Sequence, residues 1–80
     1  MTTIKMYHGV AKIEEGLEIP MVAIQFDNED QVALITADVL PFALPDVCLE
    51  KRAEMKYVGF DELANFGVTV SSEAFQVDEV

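Results

Sequence analysis

Apolar residues recur at every second position near the start of the chain, which predicts a β-strand over residues 3–8. Gly9 interrupts this alternation. Residues 10–14 continue it either as a second strand or as the same strand after a bulge at Gly9. Glu15 and Gly16 then indicate a turn, since glycine is a common turn residue.

The clearest pattern consists of two runs rich in β-branched residues, 21–26 and 31–36, joined by the polar residues 27–30. This arrangement predicts a β-hairpin. Both runs carry apolar residues on both faces, so we expect the hairpin to be central in its sheet or covered on both sides. Pro20 precedes the first run, a position that fits only the start of a strand.

Residues 38–45 predict an irregular apolar connection, because Pro41 and Pro45 prevent a regular helix across Phe42-Ala43-Leu44. Asp46 is a suitable N-cap for a helix over residues 46–56. A strand is the alternative for residues 46–58, because Ala53, Met55 and Tyr57 alternate at period two with the intervening residues 54, 56 and 58. The pattern leaves both alternatives open.

Residues 61–66 predict a short helix that begins at Asp61 and ends at Gly67, and residues 68–70 predict a last strand. The sequence thus indicates a single α+β domain over residues 1–80. We expect a small antiparallel sheet around a central hairpin at about 21–37, with one or two short helices at about 46–56 and 61–66. A mostly β small barrel or sandwich is the alternative fold, and residues 78–80 are expected to form a mobile tail.

Composition restricts the class of function. Fifteen acidic residues against five basic ones give a formal net charge of −10, which disfavours nucleic acid and anionic membranes as direct partners. A hydrophobic content of 51% argues for a folded domain. The start of the chain lacks the apolar run of a signal peptide, and a lone cysteine indicates a reducing compartment, so we expect a cytoplasmic protein. Small cores are often supplemented by self-association, so a homodimer is a reasonable expectation.

Catalytic and metal-binding patterns are sparse. Cys48 and His8 are the only residues of their types, lie on unrelated segments and fit a buried apolar thiol and a satisfied strand-end histidine. The acidic turn 27–30 offers oxygen ligands but not the spacing of a calcium-binding loop. The four glycines form no phosphate-binding loop. We therefore expect no enzyme activity, no cofactor and no metal site.

Residues 61–72 resemble the first helix and turn of a helix-turn-helix, with Ala64 ahead of the turn residue Gly67. The spacing between these two residues is shorter than the motif requires, and the segment contains no basic residue for phosphate contacts. The resemblance implies a DNA-binding regulator.

The charges are unevenly distributed, because no basic residue occurs between Ile13 and Glu50. An acidic surface of this kind serves solubility or docks onto a basic groove, where carboxylates stand in for phosphates. Bacteriophages and mobile elements use small acidic proteins in this way against restriction, CRISPR or repair enzymes, an analogy of size and charge alone. Six carboxylates are the predicted docking residues: Glu14, Glu15, Glu18, Asp27, Glu29 and Asp30.

The main hypothesis is therefore a non-enzymatic inhibitor that occupies the nucleic-acid-binding surface of a basic protein. A structural or oligomer-assembly module is the second hypothesis. It uses the apolar strand faces and the connection Phe42-Ala43-Leu44 as an interface. A DNA-binding regulator is the third.

Overall fold

The computed structural model describes residues 1–39 and 45–80, whose strands form one antiparallel sheet. Its strands are β1 (Thr3–Glu14), β2 (Leu17–Phe26), β3 (Gln31–Thr36), β4 (Tyr57–Gly59), β5 (Val68–Val70) and β6 (Gln76–Glu79). Within these residues, one α-helix, α1 (Pro45–Lys51), accompanies three 3₁₀ helices, Ala37–Val39, Arg52–Glu54 and Phe60–Phe66. The protein is therefore an α+β fold, as the sequence predicts.

The strands follow the order β4-β3-β2-β1, and β1 pairs on its far side with both β5 and β6. β6 pairs with residues 3–6 of β1, whereas β5 pairs with residues 9–11. In the described part of the chain the sheet does not close on itself. The barrel alternative is therefore not supported, and the described strands belong to a single sheet.

Each face of the sheet is covered by a helical segment. On one face a core of Ile4, Met6, Val22, Ile24, Phe26 and Ala33 packs with Cys48 of α1. On the other face Ala23, Val32 and Val68 pack with Leu63 of the 3₁₀ helix Phe60–Phe66. This explains the apolar residues on both faces of the central hairpin. It also means that these strand faces are buried within the chain and are not exposed as an interface. The rest of that proposed interface, Phe42-Ala43-Leu44, lies outside the described residues.

The predicted hairpin is confirmed, but its first strand begins at Leu17, earlier than the pattern suggests. Pro20 consequently lies inside β2 and not at its start. It pairs with Val10 of β1, and the pairing of β2 with β3 begins only at Met21. Proline is tolerated there because β2 has a single neighbouring strand at that position.

β1 is one continuous strand, and its irregularity lies between Lys12 and Glu14, not at Gly9. Gly9 is required for a different reason. A Cβ atom added to it would lie 3.1 Å from Val70 Cγ1 and 3.4 Å from the Thr69 carbonyl oxygen. The glycine therefore allows β5 to approach β1 closely.

The predicted helix 46–56 is shorter in the structure, and the strand alternative holds only for Tyr57 and Val58, which follow this segment. α1 stops at Lys51, a 3₁₀ turn covers Arg52–Glu54, and Met55 is extended. Residues 57–59 then pair with β3 as β4. Pairing of residues 57–59 with β3 holds the chain extended directly after this segment, and tertiary structure commonly overrides local helix propensity.

The helix-turn-helix resemblance is not reproduced. Phe60–Phe66 is a 3₁₀ helix, and Gly67 ends it in the left-handed conformation. The next segment, Val68–Val70, is a strand paired with β1, so no recognition helix follows within residues 61–72. Strand pairing occupies the backbone that a recognition helix would need.

Residues 78–80 belong to the sheet edge and do not form a free tail. Asp78 and Glu79 pair with Ile4 and Thr3 as part of β6. The Val80 amide donates to the Thr2 carbonyl oxygen at 2.9 Å, and the Thr2 amide donates to the Val80 carbonyl oxygen at 2.7 Å. Backbone hydrogen bonds therefore hold the end of the chain.

Candidate functional site: a divided acidic surface

The acidic side chains all lie at the protein surface. All fifteen carboxylates belong to the described residues, and no polar or charged side chain there is buried. The only ion pairs within 4.0 Å in this part of the chain involve Arg52. Most of the negative charge is therefore uncompensated and faces solvent, which produces an extended negative potential.

The six carboxylates predicted as one docking surface form two groups at opposite ends of β2. Glu14, Glu15 and Glu18 surround the β1–β2 turn, whereas Asp27, Glu29 and Asp30 form the β2–β3 turn. β2 contains 10 residues. At roughly 3.3 Å per residue, the two groups are about 30 Å apart. The six carboxylates therefore do not form one continuous acidic surface.

The group at the β2–β3 turn is partly structural. Asp27 has a φ of 56°, and its amide donates to the Thr3 carbonyl oxygen at 2.6 Å. In return the Thr3 amide donates to Asp27 Oδ1 at 3.1 Å. These two hydrogen bonds fix the turn against the start of β1, a role for which short polar side chains in the left-handed region are suited.

Arg52 forms ion pairs with two carboxylates of this turn. Its Nη2 atom lies 2.5 Å from Glu29 Oε1 and 3.6 Å from Asp27 Oδ2. The sequence contains no basic residue between Ile13 and Glu50, but the fold brings Arg52 to the turn from the segment after α1. Asp27 and Glu29 are therefore less available to a partner than the sequence suggests.

A shallow groove of about 470 Å³ lies beside this ion pair. The groove has an apolar side formed by Leu49, Ala53 and Tyr57, and its charged residues are Glu29 and Arg52. Since these two charges are paired with each other, the groove offers no free charge to a ligand.

The other group belongs to a protruding two-stranded segment, residues 12–18, which we call the arm. Pairing of β1 with β5 ends at Ala11, and pairing of β2 with β3 begins at Met21. Beyond these points the two strands pair only with each other, and every residue from Lys12 to Glu18 is exposed. The Lys12 amide donates to the Gly67 carbonyl oxygen at 2.9 Å, which attaches the base of the arm to the domain.

The arm also exposes large apolar side chains, which the sequence interpretation missed. Ile13 and Leu17 are 59% and 49% exposed. Phe66, beside the Gly67 that bonds the arm, is 58% exposed. The sequence signal for this exposed apolar surface was the position of apolar residues on both sides of an acidic turn. The alternation of apolar and polar residues, taken alone, assigns such residues to a core.

Cys48 and His8, the only cysteine and the only histidine of the chain, lie in different environments. Cys48 is buried, and this burial, with a smaller effect of the Asp78 charge, raises the pKa of its thiol. His8 lies within β1, exposed, and not at a strand end. It stacks on Phe75, with ring centroids 4.1 Å apart. A protonated, buried thiol is a poor nucleophile and a poor metal ligand.

Metal-binding clusters and membrane-spanning helices are both absent from residues 1–39 and 45–80. No group of three histidine, cysteine or carboxylate side chains there is arranged to hold a metal ion. No helix among these residues has the length and apolar character needed to cross a bilayer.

The chain matches no protein-family model, and no significant similarity to a curated protein or to a solved structure was found.

Proposed function

We propose that the protein is a non-enzymatic acidic inhibitor that binds a basic, nucleic-acid-binding protein and occupies its nucleic-acid-binding surface. The observation that supports this proposal most is the uncompensated surface charge. The chain has a net charge of −10, and Arg52 is the one basic residue in ion pairs within the described part. A surface of this sign attracts basic grooves, raises association rates and rejects acidic competitors.

The fold favours surface binding over enclosure of a small molecule. The sheet is covered on both faces by the chain's own helical segments. The carboxylates are distributed over the outside, where they meet a large basic surface more readily than a small ligand. Inhibition then follows from occlusion, since a groove occupied by carboxylates cannot also bind phosphates.

A capture and competition experiment tests the proposal. The protein is immobilised, exposed to a nuclease-treated lysate of its source cells, and the captured protein is purified. Binding of that protein to duplex DNA and to RNA is then measured with increasing amounts of the inhibitor. We expect stoichiometric loss of nucleic-acid binding and weaker inhibition as salt rises above about 150 mM. A captured protein whose nucleic-acid binding is unaffected by saturating inhibitor would contradict the proposal.

Two charge-matched variants show whether the site or only the net charge matters. One variant neutralises the unpaired members of the predicted set: Glu14→Gln, Glu15→Gln, Glu18→Gln and Asp30→Asn. The control removes the same charge from other exposed residues: Glu50→Gln, Glu54→Gln, Glu62→Gln and Glu73→Gln. We expect inhibition to weaken at least tenfold in the first variant and only slightly in the control. Equal loss in both would mean that net charge alone is responsible.

A further inference from the structure

We propose that the arm is the docking element, and that it inserts into a partner groove with an apolar floor and lysine- or arginine-lined walls. This inference rests on the proposed function and names the element and the partner chemistry. The arm is the unpartnered end of the sheet, where β1 no longer pairs with β5 and β2 does not yet pair with β3.

Apolar surface is exposed on the arm. Ile13 and Leu17 are about half exposed, although the chain buries side chains of the same kind elsewhere in its two cores. Ile19 pairs with Ala11, which contacts the core beneath the 3₁₀ helix Phe60–Phe66. Leu17 lies two residues before Ile19 on β2 and therefore belongs to the same face, beyond the end of that cover. An apolar strip that continues past its covering helix is suited to contact with another protein.

The charge of the arm is opposite in sign to that of a basic groove. The arm carries three carboxylates, Glu14, Glu15 and Glu18, against the single ammonium group of Lys12. Lys12 is opposite Glu18 in the strand register but is not within ion-pair distance of a described carboxylate. A second copy of the chain would bring equal negative charges together, which opposes self-docking through the arm. A basic protein groove satisfies both the apolar and the acidic features.

The shape of the molecule also suits insertion of the arm into a groove. The described part of the molecule measures 41 × 24 × 24 Å, so it is elongated. A two-stranded β-ribbon fits a groove about 12 Å wide, the width of the DNA major groove, and a protein groove of similar width would admit the arm. Apolar residues that fill the floor of such a groove contribute most of the affinity, while the surrounding charges provide orientation and association rate. Phe66 at the base of the arm is exposed and offers its ring to an arginine of the groove wall.

The inference is tested by a peptide titration of the full-length, ¹⁵N-labelled protein, which does not depend on the identity of the natural partner. The probes are two synthetic peptides of equal length and charge, one of alternating lysine and leucine and one of alternating lysine and serine. We expect the lysine–leucine peptide to bind at least tenfold more tightly. Its chemical-shift changes should concentrate in residues 10–20 and at Phe66.

Two variants complete the experiment. Ile13→Ser with Leu17→Ser should abolish the preference for the leucine peptide, whereas Val77→Ser, which changes an apolar side chain 56% exposed on β6, should preserve it. Equal affinity for the two peptides, or shift changes centred on the β2–β3 turn, would overturn the inference. The proposed function is judged separately by nucleic-acid competition, so either can fail while the other stands. Dimerisation through the arm, detected as concentration-dependent shifts in the free protein, would also overturn it.

Discussion

The guanidinium group of Arg52 lies over the ring of Phe26, 4.7 Å from the ring centroid. Phe26 is fully buried at the end of β2, and Arg52 belongs to the 3₁₀ turn after α1. The same guanidinium group pairs with Glu29, and the Arg52 carbonyl oxygen accepts a hydrogen bond from the Tyr57 hydroxyl group. One residue therefore joins the helical cover, the β2–β3 turn and β4.

Replacing Arg52 with alanine should destabilise the protein by about 1–2 kcal/mol. The cation–π contact contributes about 0.5–1 kcal/mol. The partly exposed ion pair with Glu29 contributes about 0.2–1 kcal/mol. Urea unfolding measures the difference. Glu29→Gln should cost less than Arg52→Ala because it leaves the contact with Phe26 intact. The control is Lys51→Ala at an exposed position. Equal stability of Arg52→Ala and Lys51→Ala would contradict the structural role.

Substitution by alanine should destabilise the protein to different extents at two glycines with positive φ, Gly16 and Gly67. Gly16, with φ 84°, has nothing within 4 Å of an added Cβ atom, so Gly16→Ala should cost only the left-handed strain of about 1 kcal/mol. At Gly67, with φ 71°, the added Cβ atom would also lie 2.8 Å from the Lys12 carbonyl oxygen. Gly67→Ala should therefore cost about 3 kcal/mol.

Thermal unfolding of the two glycine variants checks this order, and amide chemical shifts locate the disturbance. Gly67→Ala should shift the amide of Lys12 at the base of the arm, because the Lys12 amide donates to the Gly67 carbonyl oxygen. A Gly67→Ala protein as stable as Gly16→Ala would show that the arm does not approach Gly67 as closely as described.

The Cys48 thiol should be inert in the folded protein and reactive after unfolding, because it is buried in the core beneath α1. A thiol reagent added with and without urea measures this protection. Cys48→Ser should cost about 1–3 kcal/mol, since it places a hydroxyl group in an apolar site, and Cys48→Ala should cost less. Rapid labelling without denaturant would contradict the burial of this side chain.

Stability should fall at alkaline pH. Burial raises the pKa of Cys48 above the ordinary value of 9.0 and that of Tyr57 above 10.0. As pH rises past these ordinary values, the unfolded chain loses protons that the folded protein retains, so the free energy of unfolding decreases. Urea unfolding between about pH 8 and pH 10 should show a flatter pH dependence in Cys48→Ala than in the wild type. An unchanged slope would contradict the assignment to Cys48.

Much of the fold could be predicted from the sequence where local patterns and tertiary structure agree. The hairpin of residues 21–36 combines β-branched runs with a polar turn, and its pairing follows directly. The segment 46–56 shows the limit. Its residues favour a helix, but α1 stops at Lys51, and directly after the segment Tyr57 of β4 pairs with Ala33, a contact 24 residues away along the chain. Local propensity carries no information about such a partner.

The candidate site was less predictable, because the sequence does not show where residues meet in space. Glu14 and Glu29 belong to the same acidic stretch, yet the ten residues of β2 separate their turns. Arg52 lies beyond that stretch in the sequence but contacts Glu29 in the fold. The exposed arm could not be identified either, since its exposure depends on where β3 and β5 end relative to β1 and β2.

Removing residues 78–80 should destabilise the protein, in contrast to removal of a free tail. The truncation deletes the pairing of Asp78 and Glu79 with β1 and both hydrogen bonds between Val80 and Thr2. Each backbone hydrogen bond contributes about 0.5–1.5 kcal/mol net, so we expect a loss of about 2–3 kcal/mol in urea unfolding. Val80→Ala is the matched control, because it keeps the backbone and changes only a partly exposed side chain, 40% accessible. The backbone amide of residue 80 should be protected from hydrogen exchange in both the wild type and this control. A truncated protein as stable as the wild type would show that β6 contributes nothing to the sheet edge.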